Sequence, residues 1–368
     1  MKTVTRVLVV DDSVIVRGLL TRALESDPFI RVTGTAMHGE AALVWLEKNT
    51  ADVVILDVEM PVMDGLTTLE ILRKEFPSVR VIMASTMTQT GAETSVKALS
   101  LGAASCIAKP VTSSMAESIR QLSTELLPQV RALGPADPSD ETAAGILLSL
   151  ALNRAGGEDG MVAPAPLRRR TRPQVLVIGA STGGPQALTE VLTSLPQDFP
   201  LPIFVVQHMP AQFTRILANR LDSMTGRPCR EAADGMLITP GETLIAPGGY
   251  HMETEYRSRR LVTAVHSGPA EHFCRPSINP LFRSVSRNYG SSVLAVMLTG
   301  MGDDGIEGAH EVFENGGTII AQDRHTSVVW GMPGAVVRAG LAHFILPLNQ
   351  IAPEIKRICA LEACTHDA

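Results

Sequence analysis

Short runs of consecutive apolar residues alternate along this chain with stretches whose apolar positions recur every third or fourth residue. The first pattern reads as a buried strand, the second as a helix with one buried face. In the first third, strands are expected at Arg6–Val10, Ile30–Ala36, Val53–Leu56, Val79–Ala84 and Cys106–Ala108. Helices are expected over Val16–Leu24, Glu40–Lys48, from Gly65 to about Glu75, over Ala92–Leu101 and from Ser113 to about Leu127. Ser13 stands where it can cap the first of them. In the second half, strands are expected at Gln174–Ile178, Pro202–Val206, Leu244–Ala246, Ser292–Leu298 and Thr318–Gln322. Leu261–Val265 is expected to pair near the Leu244 strand. Helical spacing follows at Ala187–Leu192, Phe213–Leu221, the middle of Pro276–Tyr289, after Gly305, and around Val336–Ala339. Strands that alternate with helices imply doubly wound, mostly parallel sheets.

The pattern breaks between these blocks. Residues 128–172 hold Gly134-Pro135, Pro138, Gly156-Gly157, Pro164-Ala165-Pro166 and the basic run Arg168-Arg169-Arg170-Thr171-Arg172. This reads as a linker. Inside it, Ile146–Leu152 is an apolar island, expected as a short helix docked on one domain. The expected fold is therefore α/β, with one domain over 1–127, a linker over 128–172 and a second domain over 173–364. A chain of 368 residues suits two cores better than one.

Composition narrows the function. Aromatics make up 4% of the chain and the net charge is −6, which argues against a nucleic-acid surface. Five cysteines form no C-x-x-C pair, as expected of reduced thiols in the cytoplasm. The first residues lead into a strand without a signal-type apolar region, and no uncharged run is long enough to insert into a membrane.

In parallel α/β sheets the strand C-termini share one edge, where sites form. Asp11, Asp12, Asp57, Ser85 and Lys109 each lie at such an end in the first block. Any one of these aspartates alone could merely cap a helix. Three converging carboxylates repel unless a cation compensates. Mg²⁺ suits them, with Asp12 and Asp57 as ligands and Asp11 nearby. Asp57 is then a phosphoryl acceptor, with Mg²⁺ and Lys109 neutralising charge on the transferred group.

The second block carries Gly179-Ala180-Ser181-Thr182-Gly183-Gly184 on a strand-to-helix turn. It fits G-x-S-x-G, a nucleophile elbow, although a glycine-rich turn can also simply close a βα corner. His208 follows the next strand and Asp303-Asp304 follows a later one. Ser181, His208 and Asp304 therefore share one sheet edge, and they are the parts of an acyl-transfer triad. Asp303 and Asp304 could instead cap a helix, and His251, His266, His272 and His325 compete with His208. A metal site from His251, His272 and Cys274 is a further alternative, but the spacing matches no standard zinc site.

Two sets of motifs carry resemblances. Asp11-Asp12-Ser13, Asp57, Met60-Pro61-Val62-Met63-Asp64-Gly65, Ser85 and Lys109-Pro110 resemble the receiver domain of bacterial response regulators. That resemblance implies phosphorylation at Asp57 and adds the backbone carbonyl of Glu59 to the Mg²⁺ ligands. Cys106 stands where many receivers carry an aromatic switch residue. Gly179–Gly184, Gln207-His208-Met209-Pro210, Ile245–Met252, Arg275-Pro276-Ser277 and Leu298–Gly305 resemble the catalytic domain of chemotaxis protein-glutamate methylesterases, the CheB family. That family implies Ser181 as nucleophile, His208 as base and Asp304 as orienting carboxylate. It also implies Thr182 and Met301 as oxyanion-hole donors. Cys274 stands where the family often has His.

Receiver and hydrolase together imply a cytoplasmic, phosphorylation-regulated enzyme for chemotactic adaptation. Its substrate would be methyl-accepting chemoreceptors, whose methyl-glutamates it demethylates and whose glutamines it deamidates. Its phosphodonor would be the chemotaxis histidine kinase. No cofactor is expected for hydrolysis, and the unphosphorylated receiver is expected to cover the Ser181 edge. A DNA-binding response regulator is the rival class, but it would need a basic helix-turn-helix in place of the second α/β block.

Overall fold

The structure, a computed structural model, describes residues 4–86, 88–109, 114–135, 165 and 171–360. The chain divides into two compact units, Met1–Met161 and Val162–Ala368. Both are α/β with parallel main sheets.

In the first unit the strands are β1 (Thr5–Val10), β2 (Ile30–Ala36), β3 (Val53–Asp57), β4 (Arg80–Ser85) and β5 (Ser105–Ala108), in the order β2-β1-β3-β4-β5. The helices are α1 (Val14–Leu24), α2 (Gly39–Leu46), α3 (Gly65–Glu75), α4 (Gln89–Ser100) and α5 (Met115–Leu133). The central strands are buried on both faces, so Val7–Val10 and Val53–Leu56 lose all contact with solvent. Ser13 caps α1 by accepting from the Val16 N–H. The order reverses at β1, between β1 and β3. That opens the sheet edge where Asp11 and Asp57 emerge.

Helix α5 runs past the expected end near Leu127 to Leu133, straight through Pro128. A proline inside a helix costs about 3 kcal/mol. Leu122, Leu126, Val130 and Leu133 form one buried stripe across it, and burying a leucine or valine is worth about 1.5–3 kcal/mol each. The stripe therefore outweighs the break. The apolar island Ile146–Leu152 and Arg168–Arg170 lie outside the described residues.

In the second unit the main sheet runs β14-β13-β12-β6-β7-β9-β8. Its strands are β6 (Val175–Ala180), β7 (Ile203–Gln207), β8 (Cys229–Glu231), β9 (Thr243–Ile245), β12 (Val293–Met297), β13 (Thr318–Gln322) and β14 (Phe344–Leu346). The helices are α6 (Gly184–Thr193), α7 (Ala211–Thr225), α8 (Ile278–Tyr289), α9 (Ile306–Glu314), α10 (Met332–Arg338) and α11 (Leu348–Ala360). From β6 the chain first adds β7 on one side and later returns to add β12 on the other. The switch point is thus at β6, the strand that Ser181 follows.

One expected pairing is corrected. Leu261–Val265 belongs to β11 (Arg260–His266), which does not pair with β9. It forms a separate antiparallel ribbon with β10 (His251–Arg257), in register from His251 opposite His266 to Arg257 opposite Arg260. β10 was hidden in the sequence because one of its inward positions is polar. Thr254 is buried, and its N–H and carbonyl are met by Ser284 Oγ (3.0 Å) and Asn288 Nδ2 (2.8 Å) of α8.

Candidate active sites

At the receiver edge, Lys109 Nζ reaches Asp57 Oδ1 at 2.7 Å and Asp11 Oδ2 at 2.8 Å. The Glu59 N–H also donates to Asp57 Oδ1, at 3.3 Å. Burial pushes the Asp57 carboxyl above the usual range, against the pull of Lys109. Burial pulls the Lys109 ammonium down, but its bonds to Asp11 and Asp57 outweigh that and hold it above its ordinary value. Asp12 is exposed beside them, and one carboxylate oxygen from each of Asp11, Asp12 and Asp57 lies within 4.8 Å of the others. Asp57 Oδ2 is buried without a partner among the described residues. Three carboxylates this close together, with a buried Asp57 oxygen left unpaired, suit a hard divalent cation such as Mg²⁺. Ser85 is buried at the end of β4, and its hydroxyl donates to the Thr86 carbonyl at 3.2 Å.

In the second unit, Ser181 leaves β6 with its N–H on the Thr299 carbonyl (3.0 Å). The turn into α6 needs left-handed backbone at one residue, Gly183 (φ +77°), where a Cβ would also stand 2.6 Å from Val328. Gly179 serves packing instead, since a Cβ there would meet Ile278 Cδ1 at 2.7 Å. Gln207, buried at the end of β7, straps two turns together: its Nε2 donates to the carbonyls of Ser181 (2.9 Å) and His208 (3.2 Å). The His208 N–H completes the strap by donating to the Ala180 carbonyl at 3.1 Å.

Asp304, and not Asp303, meets His208. Asp304 Oδ2 lies 2.8 Å from His208 Nε2 and accepts from the Ile278 N–H at 2.7 Å, while Oδ1 accepts from Ser277 Oγ at 2.7 Å. Burial pushes this carboxyl up, but the bonds from His208, Ile278 and Ser277 hold it below the usual range. It is therefore ionised and can only accept, so His208 Nε2 carries the proton. Nδ1 is left as the basic nitrogen, and Cys274 Sγ sits 3.5 Å from it. Burial pulls the imidazole pKa down. Asp304 and then Cys274 outweigh this and lift it to about 9. No hydrogen bond joins Ser181 Oγ to His208 among the described residues. Asp303 is exposed and pairs with His272 Nδ1 at 2.9 Å.

Sequence reasoning passed over the groups that hold Asp304. Ser277 caps α8, and its N–H is met by His251 Nδ1 at 3.2 Å. The other nitrogen of buried His251 faces the Pro269 carbonyl at 2.9 Å. Both ring nitrogens of His251 are thereby committed to the backbone, which removes the zinc alternative with His272 and Cys274. The only sequence signal was the motif Arg275-Pro276-Ser277 itself.

Thr182 lies in the turn itself and Met301 follows Gly300, and the N–H groups of Thr182 and Met301 find no acceptor among the described residues. Gly300, next to Met301, packs directly on the serine: a Cβ there would lie 2.8 Å from Ser181 Cβ and would also run into Met332 Sδ. Gly300→Ala should therefore displace Ser181 and slow any reaction that turns on its hydroxyl by about 10²-fold, the order that a 1 Å misplacement costs. A rate measurement beside a melting curve checks this, and a wild-type rate would refute the close packing.

A five-stranded α/β unit with an acidic sheet edge, followed by a second α/β sheet with serine, histidine and carboxylate at its switch point, fits the class of signal-coupled hydrolases. Residues 176–355 match the CheB methylesterase family and residues 7–120 the response regulator receiver domain. A protein-glutamate methylesterase/protein-glutamine glutaminase of Rhodospirillum rubrum is 46% identical, covering 96% of this chain and 94% of its own length. One from Azospirillum brasilense is 45% identical, covering 97% and 93%. The crystal structure of the Thermotoga maritima CheB methylesterase catalytic domain aligns with a TM-score of 0.50 at 39% identity, over 51% of this chain and all of that one. The chain belongs to the CheB methylesterase family and is a chemotaxis hydrolase fronted by a receiver domain. Among the described residues, no helix is long and apolar enough to cross a membrane.

Proposed function

We propose that this chain hydrolyses glutamyl methyl esters on cytoplasmic helices of chemoreceptors by a serine mechanism. It deamidates receptor glutamines by the same route, and phosphorylation of Asp57 sets the rate. The observation that carries the hydrolytic reading is the ionised, buried Asp304 fixing His208 through Nε2 at the sheet edge that Ser181 leaves. Ser181 Oγ adds to the ester carbonyl while its proton passes to His208 Nδ1. His208 then protonates the departing methoxide, and methanol leaves. Water adds to the acyl-serine, gives its proton to His208, and releases the glutamate as Ser181 recovers the proton. The Thr182 and Met301 N–H groups receive the tetrahedral oxyanion, each worth about 3–4 kcal/mol to the barrier. Reactive contact between Ser181 and Nδ1 forms with substrate in place, as catalytic contacts often tighten only then.

At the receiver, Asp57 is the accepting residue, and Asp12, Asp57 and the Glu59 carbonyl would hold Mg²⁺. When bound, that ion neutralises charge on the transferred phosphoryl group. Lys109 holds Asp57 and Asp11 in place through its two ion pairs, and Ser85 stands ready at the end of β4. The chemotaxis histidine kinase is the expected donor.

The test is methanol release from a methylated receptor, with and without a small phosphodonor such as acetyl phosphate. The donor should raise the rate and label the chain once. Asp57→Asn should lose both the label and the rate increase. Undiminished labelling of that variant would overturn the acceptor assignment, and no methanol from wild type would overturn the hydrolase reading.

A further inference from the structure

Phe273 is fully exposed, at 104% of its reference area. It stands at the tip of a tight turn whose ends exchange two backbone bonds, Cys274 N–H to the Glu271 carbonyl (2.8 Å) and Glu271 N–H to the Cys274 carbonyl (3.2 Å). Both central residues hold left-handed backbone, His272 at φ +48° and Phe273 at φ +62°. Turns of this kind favour Asn, Asp and Gly, and a bulky side chain there is strained. The turn is nevertheless pinned. Arg283 donates to both carboxylate oxygens of Glu271 (2.9 and 2.6 Å), and His272 lies against Asp303 (2.9 Å) and Glu307 (3.5 Å). The residue after Phe273 is Cys274, whose Sγ touches the basic nitrogen of His208. The chain therefore holds a large apolar ring in solvent, on strained backbone and a braced support, one residue from the contact with the base. Among the described residues nothing covers the ring, and strain of this kind clusters at ligand contacts.

We propose that Phe273 is a substrate-contact residue that selects a protein-borne glutamyl ester over a small one. It does so by seating against an apolar side chain that neighbours the esterified glutamate on the substrate helix. This rests on the hydrolase reading above. A small ester fills only the space at Ser181 and His208, so a ring standing out from the rim gains contact only with a substrate that extends further. Positions three and four residues from the glutamate share its helix face and come within reach of such a ring. Aromatic anchors carry much of the affinity in protein recognition because they bury large area with few rotatable bonds.

The test compares full-length wild type, Phe273→Ala and Phe273→Leu, all with acetyl phosphate present. Two substrates are used, a methylated receptor cytoplasmic fragment and N-acetyl-glutamate γ-methyl ester amide. Phe273→Ala should raise KM for the receptor and lower the receptor-to-small-ester ratio of kcat/KM about tenfold, or about 1.4 kcal/mol. Phe273→Leu should restore most of that ratio. A parallel fall on both substrates would assign the turn to supporting His208 and overturn the proposal, as would an unchanged ratio. Self-association of wild type lost in Phe273→Ala would overturn it too, by assigning the ring to a second copy of the chain. Should the alanine variant melt early, Phe273→Asn, which suits the backbone, takes its place. Failure of the parent reading looks different: wild type itself would be inert on both esters.

Discussion

Ser181→Ala should abolish methanol release from a methylated receptor, by about 10⁶-fold, while leaving the fold intact. The magnitude is that of removing a serine nucleophile whose partners act as one unit. The fold should survive because the substitution removes little else. Ser181 Oγ bonds to no described residue, so its loss strands no partner. The Ser181 backbone stays tied to Thr299 and Gln207, and the remaining Cβ keeps its place against Gly300. Labelling of Asp57 by acetyl phosphate should persist, which separates loss of chemistry from loss of structure. The outcome that would sink the assignment is substantial hydrolysis by the alanine variant. Cys274 would then be the rival nucleophile, because its Sγ is the group that touches His208 Nδ1. Cys274→Ala distinguishes the two: it should keep the serine pathway and eliminate a cysteine one.

Much of this was legible in the chain because parallel α/β sheets convert sequence order into spatial order. Once Val175–Ala180, Ile203–Gln207 and Val293–Met297 are read as parallel strands, the residues after them must share an edge. That logic reaches Ser181, His208 and the Asp303-Asp304 pair, and in the receiver Asp11, Asp57, Ser85 and Lys109. It cannot choose between adjacent aspartates, because one residue's difference turns on the direction of a side chain in a loop. It also misses what arrives from elsewhere in the chain. Ser277 reaches Asp304 across 27 positions and Cys274 reaches His208 across 66. No local pattern encodes either contact. The β10–β11 ribbon escaped for a different reason. Its buried Thr254 is polar and its outward positions carry Glu253 and Glu255, so its alternation of apolar and polar residues is faint. Helix α5 escaped because Pro128 is a local signal to stop, and the buried stripe that overrides it is tertiary.

Asp304→Asn should cost about 10²- to 10³-fold in kcat/KM, and Asp304→Ala about 10⁴-fold. The two differ because of the Ile278 N–H. It donates to Asp304 Oδ2, the same oxygen that faces His208 Nε2. An asparagine amide must keep its oxygen there, since turning the NH₂ inward would set donor against donor. The NH₂ then faces Ser277 Oγ, which can accept. His208 therefore keeps its tautomer and orientation in the asparagine variant and loses only the negative charge that stabilises the imidazolium. Alanine loses the orientation too, leaving Nε2, Ile278 and Ser277 unpaired, which is the larger effect. The pH profile separates charge from orientation. In wild type His208 titrates at about 9, raised by Asp304 and Cys274 against the pull of burial. Its basic form is scarce below that, so kcat/KM should climb about tenfold per pH unit and level off near pH 9. Removing the Asp304 charge removes the largest upward pull, so in Asp304→Asn the rise should shift to lower pH and its plateau should fall. The variant thus loses least at acidic pH and most above pH 9. A limb that stayed at 9 in Asp304→Asn would mean that another group titrates there. Asp303→Asn should cost far less, because that carboxylate faces His272 and solvent. A greater loss at 303 than at 304 would transfer the orienting role to Asp303.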